Sequence, residues 1–156
     1  METTRHFTAT TYVVHDGECL LHEHDRLGMW LPPGGHMDRD ELPREAALRE
    51  VREETGLNVA LLEPKTTVTA DFGQELSPAE HTMLYDIDSF DGEIAHQHID
   101  FVYYAESANR NLSPDDGEVE GDGWKWFCPK ELREHDELTG EVVTLGIEAI
   151  ERVDSQ

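Results

Sequence analysis

The sequence predicts an α/β fold in one domain, with a central helix between groups of strands. A chain of 156 residues is long enough for one hydrophobic core. Pro43 to Gly56 has the composition of a helix, whereas the segments on either side alternate apolar and polar residues as strands do. A second helical pattern, about Gly140 to Val153, ends the chain and is expected to cover the sheet.

Two strands are expected before the central helix. Thr8 to Val14 alternates and is rich in Thr, Tyr and Val, which favours a strand. Asp16-Gly17 supplies a turn and Cys19 to Leu21 begins the next strand, so the pair forms a hairpin. Trp30 to Gly35 then predicts a loop, with a stiff Pro-Pro turn and two glycines whose backbone can approach a ligand closely.

Five strands and a short helix are expected after the central helix. A turn-rich, acidic connection, Asn111 to Gly123, precedes the last strand, and Pro129 opens the short helix. The expected strands are Leu57 to Leu62, Thr66 to Ala70, His81 to Phe90, His96 to Ala105 and Trp124 to Phe127.

The central helix places three carboxylates together. Pro43 suits a first helical turn and Gly56 suits the left-handed position just past a helix end. Residues at i, i+3 and i+4 share a helix face, and here these are Glu50, Glu53 and Glu54. Arg49 can reach Glu53 at i+4, but the nearby cations are too few to neutralise all three carboxylates. Because all the ligands are oxygens, it predicts Mg²⁺ or Mn²⁺ in preference to Zn²⁺.

The stretch from Gly35 to Leu57 carries a complete known motif. It reads GHMDRDELPREAALREVREETGL, with Gly35, then Glu41, then Arg49-Glu50-Val51, and finally Arg52 to Leu57. This resembles the Nudix box residue for residue, and a Trp-Phe-x-Pro-x-Glu-Leu ending is also similar to Nudix domains. The resemblance covers essentially the whole chain. It implies an α/β/α sandwich with a mixed central β-sheet, in which the box forms a loop, a helix and a loop.

The same resemblance implies roles for the residues of the box. The carbonyl before the box glycine, that of Gly34, completes the metal shell with Glu50 and Glu54. Glu53 is either a third ligand or the partner of Arg49. Two residues, Glu41 and Arg49, hold the loop and helix in register behind the ligands.

A general base outside the box is also expected, because many relatives use a glutamate there to activate water. The candidates are Glu118 and Glu120, in the polar loop Asp115 to Gly123. Each has an ordinary alternative role as a solvated loop charge.

Substrate contacts are expected from two further groups of residues. His96, His98 and Asp100 alternate along one strand, so they face either the substrate cleft or solvent. No Cys or further ligand stands at useful spacing, so no zinc site is expected there. A similar His-x-His pair, His22 and His24, fits either a metal site or a surface strand end, and these two residues are not ligands in the Nudix resemblance. Aromatic residues that would stack on a nucleobase, or else pack in the core, are Phe72, Tyr103 and Trp124.

The chain is strongly acidic, with a net charge of −23. Acidic residues number 35 against 12 basic ones, spread along the chain. Such a composition resembles that of proteins adapted to high intracellular salt. We therefore hypothesise that the protein comes from a halophile. Without a basic stripe, no nucleic-acid partner is expected. No membrane span or leader is evident, and Cys19 and Cys128 read as buried thiols in a reducing compartment, so a cytoplasmic protein is expected.

The resemblance implies hydrolysis of a nucleoside diphosphate linked to another group, by a monomer or homodimer. A (deoxy)nucleoside triphosphate is the favoured substrate, with ADP-ribose or a nucleotide sugar as the alternative. The downstream positions that mark ADP-ribose and dinucleoside polyphosphate enzymes are Gly73 and Gln74 here, so neither mark is present. A non-catalytic nucleotide sensor is the alternative from another class, and an isoprenoid diphosphate isomerase is less favoured still.

Overall fold

A mixed β-sheet with helices on both of its faces forms the protein. The computed structural model describes residues 2–24, 28–63, 66, 68–90 and 92–156. The strands are β1 (Thr4–His15), β2 (Glu18–His24), β3 (Met29–Leu31), β4 (Gly34–His36), β5 (Val59–Leu61), β6 (Thr69–Ala70), β7 (Gly73–Gln74), β8 (His81–Phe90), β9 (Glu93–Ser107) and β10 (Trp124–Phe127). The helices are α1 (Pro43–Thr55), α2 (Pro129–Glu134) and α3 (Gly140–Asp154), with a 3₁₀ turn at Gly121–Gly123.

The long strands β1 and β9 form the centre of the sheet and run parallel to each other. The main order is β10-β2-β1-β9-β5, and β3, β4 and β8 add to β2, β1 and β9. All these other pairings are antiparallel. The β1–β9 register sets His6 beside His98 and Thr8 beside Asp100. Side chains alternate along a strand, so these four residues lie on one face of the sheet.

A different helix covers each face of the sheet. On the face of Tyr12 and Tyr104, the apolar side of α3 packs into a buried cluster. On the opposite face, Ala46 and Ala47 of α1 pack against Ala9 and neighbouring residues. This confirms the predicted α/β/α arrangement with a mixed sheet. Among the described residues, no helix is long and apolar enough to cross a membrane.

The acidic loop after β9 is attached to the end of α1. The backbone N–H of Ser113 donates to the Thr55 carbonyl at 2.8 Å, and that of Asp115 donates to the Glu53 carbonyl at 2.9 Å. Gly56 ends the helix with φ +75° directly beside Ser113, where a Cβ would collide with the Ser113 backbone. The loop is therefore held over the last turn of the box helix.

Several expected elements differ in length from the observed ones. The strand expected at 66–70 is only Thr69–Ala70, paired with β7 in a separate hairpin; residues 64, 65 and 67 lie outside the described part. This hairpin buries no side chain, which explains why its ladder is short. The expected loop at 30–35 instead contributes β3 and β4, because its backbone pairs with β2 and β1. Cys19 is buried as expected, whereas Cys128 is only half-buried.

Candidate active site

The box helix begins and ends through local contacts that its sequence supplies. Pro43 occupies the first turn, and the Glu45 carboxylate accepts the backbone N–H of Leu42 at 2.8 Å. The helix ends at Gly56, whose N–H donates to the Arg52 carbonyl. Between these ends, the helix directs Glu50 and Glu54 toward the loop that precedes it, whereas Arg52 is exposed.

The two glycines before the helix allow close contact with those carboxylates. The backbone N–H of Gly34 donates to Glu54 Oε1 at 3.1 Å. A Cβ on Gly35 would lie 2.5 Å from Glu50 Oε1, so any larger residue would have to displace that carboxylate from its present position. A Cβ on Gly34 would meet the backbone of β1. The Gly-Gly pair therefore brings Glu50 and Glu54 against the loop.

Arg49 connects the loop to the helix. Its Nε and Nη2 donate to both oxygens of Glu41, at 2.6 and 2.8 Å. Its Nη1 donates to Glu50 at 3.0 Å and, as predicted, to Glu53 at 3.1 Å. Nη2 also donates to the His36 carbonyl at 3.0 Å. The hydrogen bonds from Arg49 hold the pKa of Glu41 below its usual range, so this network stays ionised.

Three carboxylates face one cavity of about 480 Å³, which we call the carboxylate cavity. It is lined by His22, His24, Leu31, Pro32, Gly34, Glu50, Glu54, Glu118 and Val119. Glu120 is not among these residues and instead precedes the 3₁₀ turn. Of the two candidate bases from the loop, the structure therefore brings only Glu118 to the other carboxylates.

Burial and mutual repulsion perturb the acids of the carboxylate cavity. Burial raises the pKa of Glu54 to about 9, with a further contribution from its hydrogen bond to Glu50. Burial also raises the pKa of Glu118, as do the nearby charges of Glu50 and Glu53. Within the described residues, no Lys or Arg lines the cavity. Crowded carboxylates without such a counter-charge fit a divalent cation with oxygen ligands. Glu50, Glu54 and Gly34 all line the cavity and are the residues that could hold the ion.

A second cleft, also of about 480 Å³, adjoins the carboxylate cavity through Leu31 and Pro32, which line both. We call it the sheet cleft; its other lining residues are Thr10, Tyr12, Met29, Tyr85, Asp86, Ile87, Asp100, Val102, Glu141 and Val142. Asp100 lies on its floor and accepts the hydroxyls of Thr8 and Thr10 at 2.8 and 2.9 Å. Burial raises the pKa of this carboxyl.

The sequence-predicted substrate residues fall in different places. Asp100 lines the sheet cleft, whereas His96 and His98 lie beyond it among other histidines. Tyr103 is buried against α1 on the opposite face. Trp124 packs in the core beneath the ring of His22, at 4.6 Å between centroids, and Phe72 is fully exposed in the turn between β6 and β7. None of these three aromatic residues lines the carboxylate cavity or the sheet cleft.

Sequence reasoning missed two pairs of residues that line these cavities. His22 and His24 line the carboxylate cavity. The strand β2 does end at His24, which is partly exposed, but His22 is buried and does not lie at the surface. Tyr12 and Tyr85 line the sheet cleft. The alternation of β2 would have put both histidines on the face of Leu20, which packs with α1, but nothing in the local pattern shows that the box helix ends beside them.

The fold and the site define an α/β/α protein with a carboxylate cavity suited to a divalent cation. The NUDIX domain profile matches residues 4–144 of the chain. The chain therefore belongs to the Nudix family.

Relatives with known names support the same assignment. The chain is similar to the crystal structure of a NUDIX-family hydrolase from Clostridium perfringens, with a TM-score of 0.81, 33% identity, and coverage of 96% of this chain and 99% of that one. It is 33% identical over 112 residues to the RNA pyrophosphohydrolase of Bartonella tribocorum, covering 66% of this chain and 58% of the relative. The asymmetrical bis(5'-nucleosyl)-tetraphosphatase of Mus musculus is 43% identical over 58 residues, 37% of each chain. The matched stretches thus span little more than a third to about three fifths of these two enzymes.

Proposed function

We propose that this protein hydrolyses a phosphoanhydride bond in a nucleoside diphosphate linked to another group, with Mg²⁺ as cofactor and a (deoxy)nucleoside triphosphate as the favoured substrate. The observation that carries the proposal is the convergence of Glu50, Glu54 and Glu118 on one cavity against the Gly34-Gly35 loop. Mn²⁺ has the same preference for oxygen ligands and is the alternative ion.

The ion would be held by the carboxylates of Glu50 and Glu54 and by the carbonyl of Gly34. Once bound, it supplies positive charge to the phosphate oxygens on which negative charge develops. Glu53 does not line the carboxylate cavity and accepts a hydrogen bond from Arg49. We therefore assign Glu53 to the partner role that the sequence left open, not to the ligand set.

Arg49 and Glu41 act behind the ligands. The bidentate contact between them fixes the guanidinium, and the guanidinium in turn fixes one oxygen of Glu50. A planar group that donates to several carboxylates at once orients them better than a flexible ammonium. These two residues are therefore positioning residues whose loss affects the reaction through Glu50.

Glu118 is our candidate for the general base. It accepts the proton of a water whose oxygen attacks phosphorus, while the bond from phosphorus to the bridging oxygen breaks and the leaving phosphate keeps that electron pair. The raised pKa of Glu118 suits this task, because a carboxylate that binds protons more strongly is a better base. Its loop is fixed to α1 through Ser113 and Asp115, so the distance to the ligands is set by backbone bonds.

The sheet cleft supports a nucleoside as the group beside the phosphates. Tyr12 and Tyr85 offer aromatic surface, and the carboxyl of Asp100 offers a polar contact to the edge of a base. A small nucleotide is favoured over a polynucleotide because the basic side chains are few and several are occupied. Arg110 pairs with Glu18 and Arg152 with Glu80.

The test is release of phosphate products from a panel of nucleotides, with Mg²⁺ and molar KCl. The panel contains NTPs, dNTPs, oxidised dGTP, ADP-ribose, nucleotide sugars and dinucleoside tetraphosphates. Glu54→Gln is the inactive variant, and Glu151→Gln, an exposed position on α3, is the matched control.

We expect one nucleotide class to be cleaved well above the others, with activity retained in Glu151→Gln and lost in Glu54→Gln. If ADP-ribose or a nucleotide sugar is cleaved best, that compound replaces the triphosphate as the proposed substrate, and the proposed reaction class stays the same. If a folded protein binds Mg²⁺ and nucleotide but cleaves nothing, the nucleotide-sensor alternative is correct.

A further inference from the structure

Four histidines from three strands meet on one face of the sheet. His6 lies on β1, His96 and His98 lie on β9, and His36 lies on β4. The parallel register sets His6 beside His98, and β4 adds to β1 with His36 beside Thr8. We call these four residues the histidine cluster. Up to 92 residues of sequence separate its members, His6 from His98, so the sheet brings them together.

Three members of the histidine cluster have the spacing of metal ligands. One ring nitrogen each of His6, His96 and His98 lies within 4.8 Å of those of the other two. Ligand nitrogens at about 2.0–2.1 Å from a tetrahedral ion lie roughly 3.3 Å apart, so the rings need to close by at most roughly 1.5 Å. His6 is exposed at the sheet surface, so side-chain rotation can supply that movement.

His36 stands next to this triad. Its ring centroid lies 4.8 Å from that of His98 and 5.5 Å from that of His6. It offers a fourth imidazole, and the ion otherwise keeps a water in that position.

A hydroxyl stands behind His96, on the side of Nδ1. The Thr4 hydroxyl lies 3.0 Å from His96 Nδ1 and 3.3 Å from the Ala95 carbonyl. When this hydroxyl donates to the Ala95 carbonyl, its oxygen accepts the Nδ1–H of His96, and that tautomer leaves the Nε2 lone pair for a metal. Metal-binding histidines commonly have their second nitrogen fixed in this way.

The histidine cluster differs in chemistry from the carboxylate cavity. None of its members lines that cavity, where Mg²⁺ is proposed to bind through carboxylates. Neutral imidazoles are poor ligands for Mg²⁺ and good ligands for Zn²⁺, Ni²⁺ and Cu²⁺. No zinc site is expected from the sequence around His96 and His98, because no Cys or further ligand stands nearby. In the structure, His6 and His36 approach them from two other strands.

We propose that His6, His96 and His98, with His36 beside them, form a second metal site that binds a transition-metal dication, with Zn²⁺ as the ion of choice. The three nitrogens occupy one side of the ion. The open side faces solvent at the sheet surface, where His6 and His36 are exposed.

The experiment is calorimetric titration of the whole protein with Zn²⁺ in the presence of saturating Mg²⁺, with Cu²⁺ electron paramagnetic resonance to count nitrogen ligands. The variants are His6→Ala and His98→Ala, with His15→Gln as the control. His15 lies at the other end of β1, and a Gln amide can replace its contact with the Ser107 carbonyl.

We expect one Zn²⁺ per chain, with affinity lowered more than about 100-fold by either alanine variant, since even residues behind a metal ligand contribute about 10–100-fold. Thr4→Val should weaken binding about 10-fold and Thr4→Ser should restore it. Zn²⁺ binding that survives in His6→Ala and His98→Ala but disappears in Glu54→Gln would place the ion at the box and overturn the proposal. An absence of binding, or a Cu²⁺ signal without nitrogen coupling, would overturn it as well.

Discussion

The carboxylate of Glu54 accepts the backbone N–H of Gly34 at 3.1 Å, across twenty residues of sequence. This bond joins the glycine loop to the buried side of the box helix, where Glu54 is only 8% exposed. The N–H favours a charged Glu54, but burial and the contact with Glu50 outweigh it and raise the pKa to about 9. A divalent cation bound beside Glu54 would favour its charged form and so offset the effects of burial and of Glu50.

Replacing Glu54 by Gln should remove activity and leave the fold intact. The amide oxygen still accepts the Gly34 N–H, and the neutral amide matches a carboxyl whose raised pKa already disfavours its charged form. We expect kcat to fall more than about 100-fold, beyond the usual loss for residues behind a metal ligand. The measurements are kcat with the best substrate and the thermal midpoint, compared with Glu151→Gln. Activity within threefold of the parent would contradict the metal assignment.

Arg49→Ala should harm the reaction less than Glu54→Gln. The guanidinium contacts Glu41, Glu50 and Glu53 but does not line the carboxylate cavity. We expect a loss of about 10–100-fold in kcat/KM and a higher Mg²⁺ concentration for half-maximal rate. Arg49→Lys should recover little, because an ammonium cannot donate to both Glu41 oxygens and Glu50 in one plane. Full activity in Arg49→Lys would show that only the charge matters.

Glu118→Gln and Glu120→Gln separate the two candidate bases. Only Glu118 lines the carboxylate cavity, so we expect kcat to fall about 10²- to 10⁴-fold in Glu118→Gln, as for loss of a general base. Glu120→Gln serves as the matched control from the same loop and should keep its rate. The acidic limb of the pH–rate profile should also disappear in Glu118→Gln. Rates unchanged from the parent in both variants would remove this loop from the mechanism.

The Glu131–Cys128 contact predicts a pH-dependent stability. The Cys128 N–H, followed by Lys125, lowers the pKa of Glu131 from 4.5 to about 2. A carboxyl whose pKa is lower in the folded protein than in the unfolded chain stabilises the fold at pH values above its ordinary pKa. This contribution is lost as the pH falls from about 4.5 through about 2. Glu131 is partly exposed, and Gln at this position can still accept the Cys128 N–H, so we expect Glu131→Gln to cost only about 0.5 kcal/mol at pH 7.

Urea unfolding of Glu131→Gln and of the parent should be compared across that pH range. The difference between the two proteins should shrink below pH 4.5. Glu134→Gln, on the same helix α2, serves as the control. A difference that stays constant with pH would show that the carboxylate charge does not contribute.

The charge of −23 predicts that salt stabilises the protein. At molar ionic strength the screening length falls to about 3 Å, so repulsion between exposed carboxylates is suppressed. We expect the thermal midpoint to rise between dilute buffer and molar KCl. Sucrose at equal osmolality is the control, because it does not screen charge. A higher midpoint in dilute buffer would reject the hypothesis of adaptation to high salt.

The sequence by itself determined the box helix and the residues it presents. Pro43 and Gly56 predict its ends, and the spacing of Glu50 and Glu54 predicts that they share a face. These predictions hold because helical geometry depends on neighbours within four residues. For the same reason the contact between Arg49 and Glu53 is readable from spacing alone.

Only the tertiary structure decided which distant residues join that helix. Glu118 and Glu120 are equivalent in sequence, and the backbone bonds of Ser113 and Asp115 to the end of α1 distinguish them. The parallel pairing of β1 with β9 sets His6 beside His98 across more than ninety residues, and alternation buries Tyr103 on the face opposite Asp100. Strand register and loop attachment arise from long-range packing, which no local pattern encodes.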